Sequence, residues 1–146
     1  MRKRVFSAVL TFGLAVMAVT IAYAQLPGTA VRAKIPFNFT VRGKVLPAGN
    51  YAITRLTDDP NTLMISNVKD NHDRVVFATE PVEPGNNSSR SEIIFHRYGE
   101  DYFLSEVFGG GAQTGRELPP SREERLLKRE MASNKAKPET VALVAY

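Results

Sequence analysis

The sequence predicts an all-β protein, a single antiparallel β-sandwich or small barrel of about six to eight strands with one short C-terminal helix. Apolar and polar residues alternate over several runs with the period of two that half-buried strands show. Turn-forming clusters of Gly, Pro, Asn and Asp separate these runs. Only one stretch, at about residues 121–133, has the capping and charge pattern of a helix. The 146 residues suit a single domain.

The first half of the chain predicts four strands. Apolar residues alternate with polar ones over residues 35–41, where Pro36 lacks an amide hydrogen and so favours an edge or the beginning of a strand. Three more strands are predicted at residues 51–56, 63–68 and 74–79.

The clearest hairpin joins residues 93–98 to residues 102–108. A loop of even length between paired positions would put one set of side chains on one face: Ile93, Phe95, Arg97, Tyr102, Leu104, Glu106 and Phe108. The other face would then carry Ile94, His96, Tyr98, Phe103, Ser105 and Val107. Because both faces are rich in large apolar groups, we expect this hairpin to be central and covered on both sides.

The C-terminal part begins with the Gly109–Gly110–Gly111 run, which ends the hairpin strand. Ser121 and Glu124 then match a capping box, in which each side chain accepts a hydrogen bond from the other residue's amide. The large apolar residues of the helix are Leu126, Leu127 and Met131, and such a short helix has to dock to persist. We expect it to dock on the β domain, followed by a last strand at about residues 140–146.

The N-terminus has the pattern of a bacterial signal peptide. Three basic residues at positions 2–4 precede an apolar run at positions 5–21, and Ala22-Tyr23-Ala24 supplies the small residues that signal peptidase accepts. This pattern predicts a signal peptide at 1–24 and a periplasmic or secreted β-rich domain at 25–146, with no membrane span after cleavage. An uncleaved membrane anchor is the alternative.

The charge and composition exclude several classes of function. Three of the nineteen basic residues lie at positions 2–4, so residues 25–146 carry sixteen basic and fifteen acidic residues. This balance gives no support to nucleic-acid binding. The chain has no cysteine and two histidines, which excludes disulfides, thiolate metal sites, a cysteine nucleophile and a metal site of three histidines.

A Ser–His pair can be drawn from the hairpin. His96 and Ser105 share a predicted face, and Asp101 is near them in sequence. The three residue types of a serine-hydrolase triad are therefore present. A nucleophile motif such as G-x-S-x-G does not accompany them, so a packed structural histidine is the preferred interpretation.

Two carboxylates, Glu92 and Glu106, suggest a glycosidase, which uses a pair of acids across a cleft. The predicted face assignment puts them on opposite faces, which argues against a shared site. Because Arg97 shares a predicted face with Glu106, we expect a structural ion pair between these two.

Two further patterns are interpreted as turns. His72 lies between Asp70 and Asp73, but their spacing does not match a calcium loop. Gly110 and Gly115 have the glycine spacing of a phosphate-binding loop, but the Lys and Ser or Thr that should follow are replaced by Arg116 and Glu117.

Four segments together resemble a group of small exported bacterial proteins of uncharacterised function. They are IPFNFTV (35–41), LPAGNY (46–51), HRYGEDYFLSE (96–106) and GRELP (115–119). The resemblance spans nearly all of residues 25–146 and implies no activity, cofactor or catalytic residue. The LPAGNY segment alone is also similar to the turn and strand of transthyretin-like and carboxypeptidase-regulatory-like sandwiches.

These observations predict an exported, non-enzymatic binding or interaction module of the cell envelope. They assign no catalytic, cofactor-binding or metal-binding residue. The candidate partners are an envelope protein, a glycan or a small apolar ligand. A small periplasmic hydrolase-type enzyme and a structural or outer-membrane-associated envelope component are the alternatives. An apolar cavity would favour binding, and ionisable groups that converge in a cleft would favour an enzyme.

Overall fold

A computed structural model describes residues 30–85 and 89–146, so the predicted signal peptide and its cleavage site lie outside the described residues. The described residues form eleven strands and one helix. The strands are β1 (Val31–Ile35), β2 (Phe39–Val41), β3 (Lys44–Leu46), β4 (Gly49–Arg55), β5 (Thr62–Asn67), β6 (Arg74–Ala78), β7 (Glu80–Val82), β8 (Ser91–Tyr98), β9 (Asp101–Phe108), β10 (Gly115–Glu117) and β11 (Glu139–Ala145), and the helix is α1 (Arg122–Ser133).

The strands form two sheets, as an all-β sandwich requires. The first sheet is antiparallel in the order β1-β4-β5-β6. The second has the order β11-β8-β9-β10-β7, and β2 lies parallel to β9 with β3 as its antiparallel partner. The inner faces pack into one core, whose most completely buried large side chains are Tyr51, Phe39, Phe95, Ile35, Leu46, Ile65, Ile93 and Val41. The predicted fold class is confirmed.

The two sheets are joined at both margins. On one side Arg32 of β1 and Tyr146 exchange both backbone hydrogen bonds at 2.9 Å, so the end of β11 continues onto the first sheet. On the other side the chain passes from β6 to β7 through Thr79, whose amide donates to the Asn61 carbonyl at 2.8 Å. Strands that change sheets make the corners of such folds, so backbone hydrogen bonds connect the sheets at the first margin and the chain alone connects them at the second.

The predicted strand at residues 35–41 is two strands in different sheets. β1 ends at Ile35 and β2 begins at Phe39, because Pro36 cannot donate to a ladder. The Asn38 side chain in the break accepts a hydrogen bond from the Ala48 amide at 3.0 Å. Three-residue strands such as β3, β7 and β10 are too short to show a period, which is why the number of strands exceeds the predicted six to eight.

The predicted hairpin is β8–β9, and it is central in its sheet as expected. Ile94 pairs with Glu106 and Phe95 pairs with Leu104, so Ser105 is an extra residue in β9. This β-bulge reverses the alternation beyond it. The inner face carries Leu104 and Val107, whereas Glu106 and Phe108 face outward with Ile94 and His96. The predicted faces of Glu106, Val107 and Phe108 are therefore wrong.

Truncation of the central core side chain Phe95 should destabilise the fold. Phe95 is 0% exposed and packs edge-on against Phe37 and Phe39, at centroid distances of 5.1 and 5.5 Å. Phe95→Ala should lower the free energy of unfolding by about 3–5 kcal/mol in urea denaturation. The exposed Val45→Ala serves as control and should cost less than about 0.5 kcal/mol. Equal effects of the two changes would contradict the central role of β8.

Candidate functional site

A cleft opens between the two sheets at one end of the sandwich, and we call it the end cleft. It has a volume of about 350 Å³. It lies where β4 and β9 end and where β1, β5 and β8 begin. Its walls are formed by Val31, Ile53, Thr54, Arg55, Pro60, Leu63, Ser91, Val107, Gly109, Gly110, Gly111, Ala112, Thr114 and Arg116.

The floor of the end cleft is the end of the apolar core. Val31, Ile53 and Leu63 from the first sheet and Val107 from the second all line it, and all four are buried core residues. Val107 faces inward only because the bulge at Ser105 shifts the register of β9. A ligand in the cleft would therefore lie against the end of the apolar core.

Two guanidinium groups border this floor. Arg116 of β10 pairs with Val107 of β9 and so shares its inward face, and its Nη1 donates to Asn61 Oδ1 at 2.8 Å. Arg55 is exposed at the end of β4. The backbone amide of Asn61 donates to Asp59 and lowers the pKa of that carboxyl, and the Thr62 hydroxyl and the two arginines lower it further. Asp58 is a second carboxylate in the same loop between β4 and β5.

The glycine run forms the wall on the side of the second sheet. The Ala112 amide donates to the Gly109 carbonyl at 3.0 Å, and the Gly110 amide donates to Ser91 Oγ at 2.9 Å. Gly111 has a φ of +73°, a left-handed conformation that glycine adopts without strain. The run is a tight turn, as it was interpreted from the sequence.

A second feature is a hydrogen-bonded group on the outer face of the second sheet, which we call the Glu124 cluster. It consists of Glu124, His96, Tyr98 and Ser105. Oε1 of Glu124 lies 3.1 Å from His96 Nδ1 and accepts from the Tyr98 hydroxyl at 3.2 Å. His96 Nε2 lies 3.3 Å from Ser105 Oγ. Glu124, Tyr98 and Ser105 are all buried, and Glu124 is the one buried residue of α1.

The direction of these hydrogen bonds follows from the donors and acceptors available. A carboxylate only accepts, so His96 Nδ1 donates to Glu124, and in the neutral imidazole Nε2 then accepts from Ser105. This is the order serine, histidine, acid of a hydrolase triad. Burial raises the pKa of Tyr98 to about 12, and the adjacent Glu124 charge and hydrogen bond add to that effect. Tyr98 is therefore a donor to Glu124 at neutral pH.

The cluster confirms one predicted contact and corrects others. His96 and Ser105 do meet, but Glu124 rather than Asp101 is their acid. The capping box is half right: the Glu124 amide donates to Ser121 Oγ at 3.1 Å, while the Glu124 carboxylate turns to the sheet. The expected apolar docking of α1 is wrong for Leu126, which is 55% exposed.

Sequence reasoning missed Glu124 as a partner of the sheet because its contact with His96 spans 28 positions. In addition, the capping box with Ser121 already accounted for a glutamate at position 124. Glu92 shares their predicted face on the same hairpin as His96 and Ser105, so the sequence carries no signal that the acid comes from α1 instead.

The outer face of the second sheet also carries four strand carboxylates, those of Glu80, Glu92, Glu106 and Glu117. Glu92 and Glu106 line a cavity of about 250 Å³, so the prediction that they face opposite sides is wrong. Glu106 pairs directly with Glu117. Burial raises the pKa of Glu106, Glu117 and Glu92 raise it further, and His96 opposes them.

The other predicted polar contacts are resolved differently. Arg97 lies 3.3 Å from Glu139 and 3.8 Å from Glu100, so the ion pair predicted with Glu106 is wrong. His72 is exposed in a turn where its amide donates to Asp70 Oδ1 at 2.9 Å, which agrees with a solvated loop. Within residues 30–85 and 89–146, no group of three or more His, Asp or Glu is arranged to hold a metal ion.

No protein-family model, no curated protein and no solved structure matches this chain.

Removal of the Glu124 carboxylate should loosen α1. Glu124→Ala leaves the Tyr98 hydroxyl and His96 Nδ1 without their acceptor and should lower the free energy of unfolding by about 1–3 kcal/mol. Glu123→Ala is the matched control, because Glu123 is the exposed neighbour in the same first turn and interacts equally with the helix dipole. Hydrogen exchange of the α1 amides should accelerate only in the Glu124 variant. Similar behaviour of both variants would show that the cluster does not hold the helix.

Glu106→Gln should stabilise the protein at neutral pH. Because the pKa of Glu106 is raised above its ordinary 4.5, the stability linked to its protonation is complete below the unfolded-state pKa and is lost as the pH rises through the folded-state pKa. Glutamine is uncharged at both pH values and therefore resembles the protonated form of Glu106. The gain in free energy of unfolding should therefore be larger at about pH 7 than at about pH 4 in urea denaturation. The exposed Glu123→Gln is the control, and a gain that is independent of pH would contradict the argument.

Proposed function

We propose that the chain is an exported, non-enzymatic binding module of the cell envelope and that the end cleft is its ligand site. Export is supported by the basic residues at positions 2–4, the apolar run at 5–21 and the Ala22-Tyr23-Ala24 cleavage pattern. In the part of the chain that the structure describes, no helix is long and apolar enough to cross a membrane.

One observation carries the proposal: a concave cleft ends on the apolar core directly beside Arg116. Ligand sites are typically concave and mostly apolar, with a few polar groups that fix orientation. The end cleft is concave and combines an apolar floor of Val31, Leu63 and Val107 with polar walls that include Arg55 and Arg116. Its volume of about 350 Å³ lies at the lower end of the range for small-molecule sites.

The charges at the cleft favour a small amphipathic anion. Arg116 is held in place by Asn61 and retains donors that this contact does not use, since a guanidinium has five N–H groups. Arg55 adds a second positive charge at the mouth. A carboxylate with a short aliphatic or aromatic body could bury that body on the floor and direct its charge to Arg116.

A hydrolase is the second candidate, and the order of Ser105, His96 and Glu124 favours it. Ser105 is only 4% exposed, however, so a substrate would reach its hydroxyl only after a rearrangement of the residues that cover it. The same three side chains account for the docking of the helix. The end cleft requires no such rearrangement, and binding is therefore the better-supported function.

The binding proposal predicts that hexanoate and benzoate occupy the end cleft. Titration of the isotope-labelled protein should shift the backbone NMR signals of Val31, Leu63 and Gly110. The uncharged hexanamide and benzamide should bind more weakly, because they cannot form a charge-assisted pair with Arg116. Arg116→Gln should weaken carboxylate binding by roughly tenfold to hundredfold, the loss expected for a hydrogen bond to a charged group.

Arg32→Gln is the matched control, since Arg32 lies on the outer face of the first sheet and should leave carboxylate binding unchanged. Equal affinity for the carboxylates and the amides would overturn anion recognition. The absence of shifts around the cleft with all four compounds would overturn the end cleft as the site of such ligands.

A further inference from the structure

The outer face of the first sheet has a distinct chemical character. Side chains at even-numbered positions of β1, β4, β5 and β6 point outward, as the register of these strands requires. Basic residues and exposed apolar residues share this surface. We call it the basic face and define it by Arg32, Lys34, Arg74, Leu56, Val76 and Tyr146. Tyr146 belongs to it because it pairs with Arg32 across the joined margin of the two sheets.

The basic face has no acidic residue on its strands. The segments of β1, β4, β5 and β6 read VRAKI, GNYAITR, TLMISN and RVVFA. Every carboxylate located in a strand belongs to the second sheet, at Glu80, Glu92, Asp101, Glu106, Glu117 and Glu139. The outer surface of these four strands is therefore basic, and the acidic residues nearest to it in sequence, Asp58, Asp59, Asp70 and Asp73, lie in the loops at the ends of the strands.

Exposed apolar groups accompany the basic ones. Val76 is 50% exposed, Leu56 is 47% exposed and Tyr146 is 75% exposed. Val76 projects next to Met64 on the neighbouring strand, so the apolar groups are not isolated. Basic side chains beside exposed aliphatic and tyrosine side chains suit the interface between water and lipid headgroups.

We propose that the basic face binds the surface of a membrane that contains anionic lipids. The four hydrogen-bonded strands present Arg32, Lys34 and Arg74 on one broad surface, which a planar array of phosphate headgroups can contact together. Each basic residue near an anionic membrane surface contributes about fivefold in affinity, so the three contribute roughly hundredfold. Val76, Leu56 and Tyr146 would enter the headgroup layer between these charges.

The same charges disfavour a symmetric dimer through this face. Two copies would bring Arg32, Lys34 and Arg74 against their equivalents, and like charges in contact repel. Charge complementarity requires a negatively charged partner, and the arrangement of the groups over a broad open surface favours a lipid surface over a small anion.

Cosedimentation of the exported, processed protein with vesicles tests the proposal. The protein should bind vesicles of phosphatidylglycerol and not vesicles of phosphatidylcholine, and added salt should weaken this binding. The variant R32Q/K34Q/R74Q should bind phosphatidylglycerol roughly hundredfold more weakly. The control variant K128Q/R129Q/K137Q removes the same charge from exposed positions in and after α1 and should bind like the wild type.

Several outcomes would overturn the proposal. Failure of the wild type to bind phosphatidylglycerol would do so directly, and equal losses in the two variants would show that net charge rather than the basic face is responsible. Heparin binding as tight as vesicle binding would identify the face as a general polyanion site. Circular dichroism of both variants verifies folding, and the salt dependence of the wild type tests the electrostatic term without any substitution.

Discussion

The β-bulge at Ser105 is the constraint on which both candidate sites depend. The extra residue lies between Leu104 and Glu106, so the side chains beyond it change faces relative to a regular ladder. Val107 consequently faces the core and forms part of the floor of the end cleft. Phe108 faces outward instead, and a Cβ at position 115 would overlap its ring, which explains why glycine is required at Gly115. Without the bulge, Phe108 would occupy the space between the sheets where the cleft opens.

The same bulge leads to an unusual way of attaching a helix. Ser105 meets His96, and His96 together with Tyr98 supplies the donors that a buried Glu124 needs. A buried carboxylate costs several kcal/mol unless charge-assisted hydrogen bonds compensate, so Glu124 is stable only against this part of the sheet. The apolar residues of α1 contribute less than its pattern suggests. A short helix fixed at its first turn and followed by the well-paired β11 is tethered at both ends, while its middle is free to open locally.

Much of the fold could be predicted because it depends on local patterns. The alternation over residues 51–56, 63–68 and 74–79 corresponds to β4, β5 and β6, and the N-cap at Ser121 marks the start of α1. The wrong predictions concern features that depend on contacts between residues far apart in the sequence. The bulge depends on the register in which β9 pairs with β8. The role of Glu124 depends on its contact with His96, a strand residue 28 positions away in the sequence. The end cleft could not be predicted either, since it is assembled from the ends of strands whose order in the sheets no local pattern specifies.

The positions of the arginines connect the two proposed surfaces. Odd-numbered residues of β4 face the inner side of the sheet, and Arg55 accordingly borders the end cleft. The even-numbered Arg32 and Arg74 project from the basic face on the other side. Because adjacent residues of a strand point to opposite sides, one sheet supplies positive charge both to the mouth of the cleft and to its own outer face. The cleft opens at the end of the sandwich and the basic face covers its side. A membrane in contact with the basic face would therefore leave the cleft mouth accessible and close to the lipid surface.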